Sequence, residues 1–214
     1  MAAEFIATNT RGGTVTFFAT RCQAWSSSSP RPRPEPFARP RGRLVEIGAG
    51  NGLNFAHYPS TVTLVHAFEP DPYLRRLASE AGVESTLPIS VSEGTAEELP
   101  LEDARVDAAV ASLVLCSVND LDRAIGELHR VLRPGGELRF NEHVASDRPF
   151  WRALQRAADA TIWPTVYGGC HLARGTRVAL EEGGFQIEHV ERFGFRVGAL
   201  DPPKSHLLGI ARRI

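Results

Sequence analysis

A chain of 214 residues, 43 % of them apolar, is long enough for one domain with a sizeable core. Its net charge of −1 gives no global attraction to nucleic acid or to an anionic membrane surface. No apolar run approaches the roughly 20 residues of a membrane span, and Cys22, Cys116 and Cys170 contain no CxxC pair, which argues against zinc and against a disulfide scaffold.

Charge is uneven along the chain. Residues 1 to 43 hold seven arginines against Glu4 and Glu35, so 7 − 2 = +5. The run "SSSSPRPRPEPFARPRG" cannot hold a helix or a central strand. Residues 1–42 therefore read as a Pro/Arg/Ser-rich arm and 43–214 as the folded domain. An Arg- and Ser-rich, acid-poor start also fits an organelle transit peptide, but amphipathic periodicity is missing; a reducing, cytoplasmic setting is the expectation.

From Arg43 the pattern alternates strand and helix. "RLVEI" reads as a buried first strand and "LNFAHY" as a short helix ended by Pro59. "TVTLVHAF" is a second strand, closing at Glu69. Asp71-Pro72 opens the next helix with the acid at the N-cap and proline at the first helical position; that helix is expected to stop at Gly82. "PISVSEG" is a third strand and "VDAAVASLVL" a fourth, apolar throughout as a strand covered on both faces should be. Apolar residues at 121, 124, 125, 128, 131 and 132 have helical spacing, capped by Asn119 or Asp120 and ended at "RPGG". "GELRFNEHV" supplies a fifth strand. Helices near 150–162 and 174–183 and strands near 185–191 and 206–212 complete the chain. Alternating elements of this kind predict an α/β fold, a mostly parallel seven-stranded Rossmann-like sheet with helices on both faces.

In such sheets the ligand sits beyond the carboxyl ends of the strands, where strand order reverses. The turn there is "LVEIGAGNGLN", with Gly48, Gly50 and Gly52 two residues apart and Leu at position 53, where a GxGxxG dinucleotide fingerprint needs glycine. The E-x-G-x-G-x-G pattern from Glu46 resembles motif I of the class I S-adenosylmethionine-dependent methyltransferases. "GTAEELPLEDARVDAAVAS" resembles the adenine-side loop and fourth strand of that family, and "ELHRVLRPGGELRFNEHV" the helix, turn and strand that follow. The resemblance implies S-adenosyl-L-methionine as cofactor. It implies that Glu46, Gly48, Ala49, Gly50, Gly52, Asn54, Glu69, Pro70, Thr95, Ala96, Ser112 and Leu113 bind it, with Glu46 near its cationic groups, Glu69 accepting from both ribose hydroxyls and Thr95 from the adenine amino group. Thr95 stands where many members carry Asp.

"SLVLCSV", "DATIWPTVYGGCHLARGT" and "PPKSHLLGIARR" look like the branch containing the animal thiol S-methyltransferases. That similarity implies a small, fairly apolar acceptor with sulfur as the favoured nucleophile. The alternatives are a natural-product O- or N-methyltransferase, or a methyltransferase-like protein that binds without catalysis. His143, ending the fifth strand, is the first candidate for a base or orienting group, and His171 the second. Trp163 and Tyr167 offer an aromatic wall. Cys170 beside His171 lacks a third ligand nearby in sequence, so no metal is expected, nor any nucleic-acid partner.

Overall fold

The computed structural model describes residues 40–161, 163–166, 168–195 and 204–214. The expected arm therefore lies almost wholly outside the described residues, and Tyr167 lies outside them too.

Seven strands form one sheet in the order β3-β2-β1-β4-β5-β7-β6. They are β1 (Gly42–Ile47), β2 (Val62–Phe68), β3 (Ile89–Ser92), β4 (Val106–Ser112), β5 (Leu132–His143), β6 (Phe185–Phe195) and β7 (Lys204–Arg213). The first five run parallel, and β7 enters antiparallel between β5 and β6. Order reverses between β1 and β4, which places a crevice at their carboxyl ends.

Among the described residues five helices accompany the sheet: α1 (Pro72–Glu84), α2 (Leu121–Val131), α3 (Pro149–Asp159), α4 (Trp163–Val166) and α5 (Thr176–Glu182). Side chains alternate across the strands, and each face has its own core. Val45, Ile47, Ala109, Ala111, Leu138 and Phe140 pack with Ile125 and Leu128 of α2 and Leu180 of α5. Leu44, Val65, Ala108 and Val110 pack on the other face with Ala78 of α1, Phe55 and Tyr58.

Local chemistry sets the helix starts. Asp71 accepts from the N–H groups of Tyr73 (3.0 Å) and Leu74 (2.9 Å), and Asp120 accepts from Arg123 N–H (3.0 Å). Several boundaries differ from the sequence expectation, among them the start of β5, which begins at Leu132 and takes in the expected "RPGG" turn. Helix α1 runs through Gly82 to Glu84, because Leu74 and Ala78 are buried against the core, and Ser85 turns the chain instead. After β1 there is only a 3-10 turn, Phe55–His57, since Asn54 and Tyr58 turn inward toward Glu46. Strand β4 stops at Ser112, where Leu113 takes a positive φ of 62°.

Candidate active site

The acid inside β1 is almost completely buried, at 1 % exposure. Its oxygens accept from Asn54 Nδ2 (2.5 Å) and Tyr58 Oη (2.6 Å). Burying a carboxylate demands such partners, so Glu46 anchors the segment that follows the glycines. Ala49 N–H donates to Phe68 O across the strand ends, and Gly52 N–H closes back on Ala49 O.

The three glycines do different things. A Cβ on Gly48 would meet Val114 Cγ2 at 2.4 Å, and one on Gly52 would sit 2.8 Å from Phe55 and 2.9 Å from Ala81. These two let protein pack against backbone. A Cβ on Gly50, whose φ is +58°, would meet no protein atom within 4 Å. That space lies open at the crevice, where a ligand can press against bare backbone.

Glu69, at the end of β2, closes the same turn. Its Oε2 accepts from Gly50 N–H (2.8 Å) and its Oε1 from Asp71 N–H (3.0 Å). Burial raises its pKa above the ordinary carboxylate value, with the two amide bonds opposing the rise. Each oxygen keeps a lone pair for a ribose hydroxyl. Pro70, next in the chain, and Thr95 are exposed, and Ala96 is buried against the core. Arg130 of α2 braces the loop between β3 and β4: it binds the carbonyls of Leu99 (3.0 Å) and Leu101 (2.6 Å) and the carboxylates of Asp103 and Glu127.

On the far side of β1, Ser112 and Leu113 end β4. Leu113 N–H donates to Asn141 O (2.7 Å), tying that end to β5. The residue that organises the next turn, Glu142, escaped the sequence reading. It is fully buried and accepts from the N–H groups of Val114 (3.1 Å), Leu115 (3.0 Å) and Cys116 (3.0 Å). Burial pushes its carboxyl up to about 7 against the pull of those amides. The signal was an acid in the apolar strand "LRFNEHV", as with Glu46 in β1.

His143, next in the strand, reaches the crevice edge and pairs in register with His206 of β7, ring to ring at 4.4 Å. His206 stacks in turn on Phe193 at 5.2 Å. The loop carrying Cys170 and His171 folds back over this edge. His171 N–H donates to Cys116 O (2.7 Å), while Asp159, at the end of α3, accepts from Leu172 N–H (2.7 Å) and Ala173 N–H (2.9 Å). Thus the imidazole of His143 and the Cys170 loop share one wall, and His171 is tied in through its backbone. The fold also closes a sequence gap that had argued against a ligand cluster: Cys116, His143 and Cys170 lie together, with their donor atoms within 4.8 Å.

A cavity of about 570 Å³ opens beside this wall. Trp151, Leu154, Ala158, Trp163 and Leu172 make most of it apolar, and Ser146 and Ser205 edge it next to β5. Trp163 is therefore an aromatic wall, as the sequence suggested.

Residues 45–140 match the family described as a methyltransferase domain. The chain is 32 % identical over 166 residues to the human thiol S-methyltransferase TMT1A, covering 72 % of this chain and 66 % of that one. A solved S-adenosylmethionine-dependent methyltransferase from Mesorhizobium loti superposes with a TM-score of 0.60 at 27 % identity, over 80 % of this chain and 90 % of that one. The chain belongs to the S-adenosylmethionine-dependent methyltransferases. Another such methyltransferase, from Methanosarcina mazei, shares the fold at 19 % identity, with a TM-score of 0.63 over 83 % of this chain and 95 % of that one. The chain spans less than two thirds of the length of the thiol S-methyltransferases it matches, 66 % of the human TMT1A and 62 % of the mouse TMT1B. Among the described residues no helix is long and apolar enough to cross a membrane.

Proposed function

We propose that this methyltransferase transfers the methyl group of S-adenosyl-L-methionine to the sulfur of a small, fairly apolar thiol. One observation supports the reading: an apolar cavity lined by Trp151, Leu154, Trp163 and Leu172 borders the segment after His143 and the loop that carries His171, while bare backbone at Gly50, held by Glu69, leaves room for the donor. The donor's methionine portion would lie along residues 48–54 and its ribose on Glu69. The adenine would lie by Thr95 and Ala96, with the methyl directed past Leu113 toward the cavity.

Transfer from a sulfonium is an in-line displacement. What the protein supplies is near-attack geometry and exclusion of water. The cavity's tryptophans and leucine suit an apolar acceptor body. A thiol is already partly thiolate near neutral pH and needs little help from a base. A hydroxyl acceptor would need a general base, worth on the order of 10²–10⁴-fold. The names of the relatives favour sulfur too.

The test is an acceptor screen with a methyl-labelled donor, comparing alkyl and aryl thiols with phenols and amines of similar size. Labelled thioethers, formed faster than any ether or methylated amine, are the expected result. Turnover of phenols or amines with an inert thiol panel overturns the thiol assignment. Binding of S-adenosylhomocysteine with no turnover of any acceptor overturns the catalytic one.

A further inference from the structure

Three soft or borderline donors converge where β4 and β5 end. Cys116 Sγ lies 3.6 Å from Cys170 Sγ and 3.9 Å from His143 Nδ1, and His143 Nδ1 lies 3.0 Å from Cys170 Sγ. Two thiolates and one imidazole around tetrahedral zinc, with bonds of about 2.3 and 2.0 Å, stand roughly 3.8 Å (S to S) and 3.6 Å (S to N) apart. Each observed separation needs to change by no more than about 0.6 Å to meet that geometry. We propose that Cys116, His143 and Cys170 form a site for a divalent thiophilic cation, zinc first, with its fourth position open to the acceptor thiol.

Four features of the fold support a built site. The donors come from three separate segments: the turn after β4, the end of β5, and the loop before α5. Every segment is fixed by its own backbone. Cys116 N–H is held by Glu142, and His171 N–H by Cys116 O. Gly169 N–H donates to Pro164 O (2.7 Å), while Asp159 clamps Leu172 and Ala173. Gly169 has a φ of +83°, and a Cβ there would lie 2.8 Å from Ser117 O, so the Cys170 loop sits as close to the Cys116 turn as backbone allows. Both thiols are buried, Cys116 at 0 % and Cys170 at 1 % exposure. Finally, Leu172 and Ser205, which line the apolar cavity, lie respectively two residues from Cys170 and next to His206, the register partner of His143.

Three protein ligands with an open position is the stoichiometry of catalytic rather than structural zinc. The proposal rests on the thiol reading above, which it deepens. A thiol entering the fourth position loses its proton to solvent and binds as thiolate, because the cation lowers its pKa. The thiolate lone pair forms the new carbon–sulfur bond to the donor's methyl carbon. The old methyl–sulfonium bond breaks with its electron pair remaining on the donor sulfur, leaving S-adenosylhomocysteine. The neutral thioether product is a weaker ligand than a thiolate and departs. No oxidant or reductant enters the balance.

The experiment uses the full chain, reduced with a phosphine rather than a thiol and stripped of metal with a chelator. Co²⁺ is titrated in and then displaced by Zn²⁺. The expected result is one equivalent bound, with a thiolate-to-cobalt charge-transfer band and the strong visible bands of a tetrahedral site. A small alkyl thiol should shift those visible bands. Thiol methylation should fall about tenfold or more in the stripped protein and return with one equivalent of zinc. Cys170→Ser and His143→Ala should each weaken cobalt binding, with folding checked by circular dichroism; Cys22→Ser should not change it. Absence of the charge-transfer band in folded, reduced protein overturns the proposal, as does an unchanged band in the Cys116→Ser, Cys170→Ser double variant. Full thiol turnover after stripping overturns the metal while leaving the thiol reading intact. A stoichiometric cobalt site with no methylated thiol upholds the ion site and overturns the thiol reading instead.

Discussion

Gly50→Val separates ligand space from packing space in the turn after β1. The glycine sits at φ +58°, so any L side chain there costs roughly 1–2 kcal/mol of stability in the left-handed region. At about 2–4 °C per kcal/mol for a chain of this size, a loss of several degrees in Tm is expected and no more. A Cβ at residue 50 meets no protein atom within 4 Å, so no overpacking at that atom joins the strain. The bond from Gly50 N–H to Glu69 also survives, because the substitution touches neither group. If the donor lies against residue 50, its volume overlaps the new isopropyl group. Affinity for S-adenosylhomocysteine should then fall by at least about 100-fold, or ~2.8 kcal/mol. Gly48→Ala and Gly52→Ala should behave in the opposite sense. Their Cβ atoms would press on Val114, or on Phe55 and Ala81, at 2.4–2.9 Å, and overpacking costs typically 1–3 kcal/mol beyond the strain. Calorimetric titration of the cofactor product and urea denaturation, on all three variants, give the comparison. Wild-type affinity in a folded Gly50→Val protein would refute the placement of the donor.

Two further perturbations test the supports of the site. Glu142→Ala leaves the amides of Val114, Leu115 and Cys116 without their acceptor in a buried turn; a buried unsatisfied group costs about 1–3 kcal/mol, so urea denaturation should show a loss of ~3 kcal/mol or more. Glu142→Gln, which keeps one carbonyl oxygen, should lose less, and equal stability for both variants would refute the role. Hydrogen bonding to Arg130 lowers the Glu127 pKa, so its contribution is fully present above the unfolded-state value and is lost as pH falls through the lower folded value. Stability measured from pH 7 downward should therefore show an acid limb that Glu127→Gln flattens, with a difference on the order of 1 kcal/mol at neutral pH that vanishes at low pH; parallel curves would refute it.

Much of the fold was legible because it is written locally. Hydrophobic runs of strand length, Asp71-Pro72, Asp120 and the glycines of the first turn each specify their neighbourhood without distant help. The places that misled are those where tertiary contacts overrule local preference. Glycine at position 82 lowers helix propensity by about 1 kcal/mol relative to alanine, yet α1 continues because Leu74 and Ala78 are already held against the sheet. "LNFAHY" has helical character, but a buried carboxylate recruits both Asn54 and Tyr58, which leaves only three residues to wind.

The cofactor half and the acceptor half of the site differ in the same way. Most of the proposed cofactor half is one short turn plus the end of the adjacent strand, from Glu46 to Pro70, with Thr95, Ala96, Ser112 and Leu113 joining it from later segments. The acceptor half proposed above is assembled from segments 27 residues apart, Cys116 to His143 and His143 to Cys170. Only the parallel pairing of β4 with β5 and the return of the 168–175 loop across their ends bring the three side chains together. A spacing rule such as CxxC finds ligands presented by one loop, and it is blind to ligands presented by the end of a sheet. The same division suits the chemistry. A donor common to a whole family can be held by a compact motif, whereas an acceptor that varies is met by segments free to change one at a time.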